Sequence, residues 1–365
     1  MRSNVPLSIL RAKSSSSRLC SYFLLLSRRF GLQMPFIYRP MLKTKTGEVT
    51  ALRQLSSDEK DRIAPVFHVA EQPPATFVAR MATAWAGRRC FLDGAFSFNV
   101  TGGSTDFDGT FNELGASQIP VLPVIEIGAA PGYNQAAFNH RNQFAPGLML
   151  KCTPATLGSA GQYAAQMQVA QDQIDLLVDA GHIAEFDPSS FAGYLSHGLQ
   201  ASLPGSSWRS VTLASSAAPK DFGQLPLGTS DVRRVDWLLW SNLPQTGHNP
   251  IDFADFGISH RDLTEPPGMA MVGATVSVRY TVENHWVMIK GRRATGATGV
   301  PMGDQYRAHA RTLMARSDFD MLPGCWGDQR ITTIATSPTV SAGGRAQWVE
   351  ICANRHFAFV ISRLP

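Results

Sequence analysis

Gly147-Leu148-Met149-Leu150-Lys151, an apolar run closed by one charge, carries the pattern that decides the fold, because variants of it recur along the chain. Ile174-Asp175-Leu176-Leu177-Val178 closes in Asp179, and Arg89-Cys90-Phe91-Leu92 closes in Asp93. Upstream, Phe36 to Leu42 is followed by Lys43 and Lys45, and Ile63 to Phe67 by His68 and Glu71. Ile119 to Ile125, with two prolines inside, ends in Glu126; Ser210 to Ala214 ends in Ser215 and Ser216. An eighth run, Ile251 to Phe256, carries Asp252 and Asp255. Runs that are apolar at nearly every position belong to strands buried on both faces, as in a parallel sheet.

Segments of helical character separate these runs: Glu48 to Leu55, Ser57 to Arg62, Asn134 to Gln143, Ser159 to Gln173, Phe186 to Leu203 and Val232 to Leu243. Asp187-Pro188 has the order of an N-cap followed by a first-turn proline. Ser57 is the expected N-cap of its helix, with Lys60 where a capping box needs an acid. Strands alternating with helices indicate βαβ units. Eight repeats suggest closure into a (β/α)₈ TIM-barrel-like domain over residues 34–262, with an open doubly wound sheet as the alternative. No GxGxxG follows a strand and no GxxxxGK[ST] occurs, so dinucleotide and P-loop readings lack support. Gly102-Gly103 is expected in a polar loop, Thr101 to Thr110.

After Asp262 the pattern changes, and residues 263–365 read as a β-rich extension packed on the barrel. Thr275 to Thr281 and Trp286 to Lys290 form a hairpin across Glu283-Asn284-His285. Gly291 to Asp304 reads as a loop and Gln305 to Arg316 as a helix. Ala346 to Cys352 and His356 to Ser362, joined by Asn354-Arg355, are expected as a second hairpin.

The formal charge is +5, but six of the 33 basic residues lie in residues 1–33, which contain no acid. The remainder has 27 basic and 28 acidic residues, so the basic balance does not mark a phosphate-binding face on the body. Residues 1–33 are Ser- and Arg-rich with a short apolar run, Tyr22 to Leu26, too short to span a bilayer. They read as translated sequence ahead of a start at Met34, as a disordered tail, or as a targeting segment. Five cysteines without paired spacing read as reduced thiols of a cytoplasmic protein.

Tyr38 to Glu48 (YRPMLKTKTGE), followed by Ala51-Leu52 and Ile63-Ala64-Pro65-Val66, is similar to the opening of the phage and bacterial Beta protein family. Phe91-Leu92-Asp93, Trp208 to Val211, Asp255 to Ile258, Arg279 to Thr281, Ile289 to Gly291 and Cys325 to Asp328 follow in the family's order. His68 departs from the carboxylate expected there. The resemblance implies a role in conflict between phages and hosts; it does not supply an activity.

In a barrel, residues ending successive strands converge on one mouth. Lys45, Glu126 and Lys151 are the candidate catalytic residues, and Asp93, Glu126 and Asp179 the candidate ligands of a metal such as Mg²⁺, which prefers oxygen donors. This pattern suits a metal-dependent hydrolase or phosphoesterase. The competing reading is that these acids and lysines only neutralise one another. His68 and His182 read first as satisfied mouth or loop histidines. Ser215-Ser216 lacks a GxSxG elbow. A basic, aromatic rim of His285, Trp286, Arg292 and Arg293 would suit single-stranded nucleic acid. Trp326 and Asp328 fit either a lid or a packing unit. The second functional class is a non-catalytic protein that binds a phage or host protein or nucleic acid, away from any membrane.

Overall fold

A computed structural model describes residues 36–69, 75–203, 205, 207–244, 250–264 and 275–365. The expectations for residues 1–33 and for Glu71 fall outside these residues. The apolar runs form eight parallel strands: β1 (Met41–Lys43), β2 (Val66–His68), β3 (Cys90–Asp93), β4 (Val121–Glu126), β5 (Leu148–Cys152), β6 (Ile174–His182), β7 (Ser210–Ser216) and β9 (Ile251–Ala254). They pair in chain order from β1 to β9. The ring closes where Arg39 N donates to Phe253 O at 2.8 Å and Met41 N to Asp255 O at 2.7 Å. Tyr38 adds parallel bridges to Ile63 and Phe253. The barrel is therefore the fold, and the open-sheet alternative is set aside.

Helices occupy the connections, beginning with α1 (Thr46–Arg53), α2 (Ser57–Asp61), α3 (Phe77–Trp85), α4 (Ala95–Thr101) and α5 (Thr105–Ala116). Then come α6 (Pro131–Asn139), α7 (Ala160–Gln166), α8 (Pro188–Ser202) and α9 (Val235–Ser241). Asp187 caps α8 by accepting from Ser190 N at 2.9 Å, with Pro188 in the first turn. The cap of α2 is Ser56, not Ser57. Its Oγ accepts from Glu59 N, and Glu59 Oε2 accepts from Ser56 N at 2.7 Å, so a capping box is present after all. Gly102 ends α4 at φ 75°, and α5 starts at Thr105, leaving only a short connection where the longer loop was expected.

The Thr275–Thr281 hairpin is β10, paired antiparallel with β11 (His285–Arg293). The outer side of β11 pairs with β8 (Gly228–Arg233), a strand drawn from the connection between β7 and β9. This sheet thus combines residues from both sides of position 262. The expected second hairpin does not exist: Arg345–Arg363 is one helix, α12, following α10 (Met302–Met314) and α11 (Trp326–Thr336). Every residue from Ile351 to Ile361 is buried. Within this helix two apolar runs flank the buried polar residues Asn354, Arg355 and His356, a pattern that reads locally as strand, turn and strand. No glycine or proline interrupts the helix.

The barrel interior shows why the mouth is polar. Met41, Val66, Phe91, Val124, Met149 and Leu177 form one inner cluster. Strand side chains alternate with period two, so the residues two places later face inward as well. Those residues are Lys43, His68, Asp93, Glu126, Lys151 and Asp179. Two places earlier, the same period sets Arg39 and Asp175 on the barrel floor, joined by Asp252 of β9. Arg39 pairs with Asp252, Arg209 NH2 lies 2.6 Å from Asp175 Oδ2, and Ser210 Oγ donates to Asp175 Oδ1 at 2.5 Å. Arg39, Asp175 and Asp252 are all buried. The floor is sealed by ion pairs, and the C-terminal ends of the strands lie at the opposite end.

Candidate functional site

Lys151, at the tip of β5, is the centre of the mouth. Its Nζ lies 3.0 Å from Glu126 Oε2 and 3.2 Å from Asp93 Oδ2. Parallel pairing in register holds Glu126 beside Lys151, and β3 brings Asp93 from 58 residues away. Burial disfavours the ammonium, but Asp93 and Glu126 outweigh it, so the Lys151 pKa is raised and the side chain stays charged.

Asp93 is saturated. Its Oδ1 accepts from Ala95 N at 3.0 Å, and its Oδ2 faces both Lys151 Nζ and His68 Nδ1, the latter at 3.4 Å. Burial opposes its ionisation, yet Lys151 and His68 together hold its carboxyl well below the usual range. Tyr133 Oη, 3.4 Å from Oδ1, packs over the same carboxylate while donating to Val124 O at 2.6 Å. Asp179 is engaged elsewhere. It accepts from Arg261 NH2 at 2.9 Å and NH1 at 3.1 Å, and from Gly181 N at 2.9 Å.

The candidate residues therefore divide. Asp93, Glu126 and Lys151 are brought together; Asp179 joins the same mouth through a separate partner, Arg261. Lys45 lies exposed in the turn before α1, and Lys43 takes the inward position, donating from Nζ to Asp262 O at 2.7 Å. Among the described residues no group of three or more His, Cys, Asp or Glu side chains is arranged to hold a metal ion. A Mg²⁺ ion held by Asp93, Glu126 and Asp179 would have to displace Lys151 and Arg261 from them.

Two contributors, Arg261 and Glu48, lay beyond sequence reasoning, whereas His68 is the mouth histidine that the sequence indicates. His68 is 5% exposed, its ring stacked on Phe256 at 5.9 Å between centroids and 12° between planes. The Arg261 guanidinium lies 5.4 Å from the Phe256 ring on the way to Asp179. Glu48 is buried, accepting from Lys43 N at 2.7 Å and Ser259 Oγ at 3.1 Å, which ties the end of β1 to the segment after β9. Burial raises its pKa above the ordinary value. The inward period of β9 would have placed Phe256; nothing local marks Arg261 or Glu48. His182 and His260 meet at the rim, 4.9 Å between ring centroids.

Other expectations fare differently. Trp286 is fully buried, so it cannot serve a rim for single-stranded nucleic acid; it packs in the core beneath the three-stranded sheet. Asp328 is also fully buried, bonded to Arg355 NH1 at 2.6 Å and Tyr280 Oη at 3.0 Å, which makes it part of the packing of the C-terminal helices and not of a lid. No helix among the described residues is long and apolar enough to cross a membrane.

Fold and site together define a (β/α)₈ barrel with a charged, inward-facing mouth, extended by a three-stranded sheet and three helices. The chain belongs to the Beta protein family, whose model matches residues 38–362. No curated protein matches it significantly. Two solved structures of the Paramecium bursaria Chlorella virus arginine decarboxylase resemble it at 9% identity and a TM-score of 0.26. With agmatine bound, the match covers 65% of this chain and 68% of that one; for the other structure the values are 77% and 98%. A likeness at this level carries no functional inference.

Proposed function

We propose that the barrel mouth is the active site of a hydrolase or phosphoesterase, acting in the phage–host setting that family membership implies. The observation that supports this most is the placement of Lys151: an ammonium held between Asp93 and Glu126, 12% exposed, among the C-terminal ends of the barrel strands. A buried, fixed cation stabilises an oxyanion far better than one in water, because its surroundings need not reorganise. Glu126, with 27% of its side chain exposed, is the more accessible of the two carboxylates that hold Lys151.

Hydrolysis of 4-nitrophenyl acetate and bis(4-nitrophenyl) phosphate tests the reading. Turnover by the wild type that falls by about 100-fold or more in Lys151→Met is the expected result, as for loss of one oxyanion donor. Failure to turn over either compound defeats it. Calorimetry with Mg²⁺ on the wild type and Glu126→Ala tests metal dependence separately; identical heats remove the metal from the mechanism.

A non-catalytic reading has one observation in its favour. Phe186 and Tyr194 are both at least half exposed, and both pack against Phe191, Phe186 tilted at 5.0 Å and Tyr194 stacked at 5.9 Å between centroids. Exposed aromatic clusters are disproportionately contact surfaces. Capture of a phage or host protein that is lost in Phe186→Ser/Tyr194→Ser, with folding intact, would favour binding over catalysis.

A further inference from the structure

We infer that His68 is the proton acceptor of the mouth site, with Nε2 as the accepting atom and Asp93 as its positioning residue. The inference rests on the hydrolase reading for its chemical step, and on three observations of its own. First, β2 points His68 inward, two residues beyond the interior residue Val66, and registers it directly beside Asp93. Secondly, Nδ1 faces Asp93 Oδ2 at 3.4 Å, and that carboxylate is anchored by Ala95 N and Lys151. In the neutral ring the proton then belongs on Nδ1, opposite the negative charge, and the lone pair on Nε2. Thirdly, Nε2 is buried and has no hydrogen-bond partner among the described residues.

A buried acceptor left unpaired is costly, and at a charged strand end a ligand's donor is one way to satisfy it. Phe256 holds the ring plane from one side, so the lone pair keeps its direction. Because Nε2 is cut off from bulk solvent, the donor that satisfies it is a hydroxyl group or a water delivered with the substrate from the mouth.

The step balances without a further reactant. Nε2 takes the proton of the attacking water as its oxygen forms a bond to the carbonyl carbon or phosphorus. The imidazolium is stabilised by Asp93, and the developing oxyanion by Lys151. The proton then passes to the leaving alkoxide as its bond breaks, restoring the neutral ring. Asp93 thus faces Lys151 throughout and the imidazolium once it forms.

Nitrogen-15 NMR of histidine-labelled protein, with His68→Gln as the assignment control, reads the tautomer directly. A bare Nε2 and a protonated Nδ1 are expected for the neutral ring; a neutral ring protonated on Nε2 overturns the inference whatever the activity. In 4-nitrophenyl acetate hydrolysis, His68→Gln is expected to lower kcat by about 100-fold or more with a small change in KM, and added imidazole to restore part of the rate in His68→Ala. Wild-type turnover that His68→Gln leaves unchanged overturns the inference and spares the hydrolase reading. No wild-type turnover together with a bare Nε2 defeats the hydrolase reading and still supports Nε2 as the mouth's acceptor.

Discussion

Tyr38 and His356 lie 318 residues apart, yet the Tyr38 hydroxyl stands 3.0 Å from His356 Nε2, deep in the molecule. Both contact Asp255, whose Oδ1 accepts from Tyr38 at 2.5 Å and whose Oδ2 is 2.9 Å from His356 Nε2. Thr281 Oγ1 meets the other ring nitrogen at 2.9 Å. Tyr38 belongs to the seam that closes the barrel, and His356 to α12, so one buried cluster locks the ring and fixes the final helix against it. Gly257 N also donates to Asp255, immediately beyond Phe256, the ring on which His68 stacks.

Replacing His356 with Ala leaves the Asp255 carboxylate buried with less compensation and should cost about 3–5 kcal/mol. Tyr38→Phe removes one hydrogen bond and should cost only about 1–2 kcal/mol. Urea unfolding of both variants checks the order; equal losses would show that the cluster is held by packing alone.

Lys151→Met leaves Asp93 and Glu126 without their shared cation and should destabilise the fold by about 3–5 kcal/mol, since Asp93 is almost fully buried. Adding Asp93→Asn removes the stranded charge and should recover part of that loss. A double-mutant cycle measures the coupling, and strictly additive effects would contradict the geometry.

Two buried aspartates give stability opposite pH dependences. Burial, with Asp255 adding to it, pushes Asp236 up to about 7. The folded state therefore holds a proton that the unfolded chain, with its carboxyl near 3.9, releases earlier. Stability from this group is full below about pH 4 and is lost as pH rises towards 7. Asp236→Asn should accordingly gain about 1–2 kcal/mol relative to the wild type between pH 5 and pH 8. For Asp175, burial is outweighed by Arg209, Arg39 and Arg89, which hold it below its ordinary value. Its contribution is present above about pH 4 and is lost on acidification, a slope that Asp175→Asn should flatten. Chemical denaturation at several pH values measures both.

Gly327 opens the close approach of α11 to α12. A Cβ there would lie 2.5 Å from Ile351 O and 3.0 Å from Arg355 N, both backbone atoms. Gly→Ala in a helix ordinarily gains about 1 kcal/mol. Here overpacking should dominate, with a net cost of about 1–3 kcal/mol in thermal or urea unfolding. A stabilised Gly327→Ala would show that α12 can shift freely.

The strands of the barrel were legible because each is a short apolar run ended by a polar residue, and the mouth was legible because those residues end the strands. Asp93, Glu126 and Lys151 follow from that reading. The final helix reads as a hairpin because Asn354-Arg355 looks like a turn between apolar runs, and only through-space partners, Ala51 O for Asn354 and Asp328 for Arg355, keep those side chains buried. Trp286 was misread as surface because local sequence does not say which side of a hairpin another element covers.

The amino-acid order by itself determined the eight repeats, the inward period of each strand and the kinds of charge at their tips, since these depend on neighbours along the chain. Which charge meets which was decided only by the closed ring. Lys151 bridges Asp93 and Glu126, Arg261 takes Asp179, and His68 has one nitrogen facing Asp93 and the other without a partner among the described residues. Electrostatic and hydrogen-bond energies depend on distances through space, and curvature of the sheet brings together residues that the sequence keeps 25 to 82 positions apart.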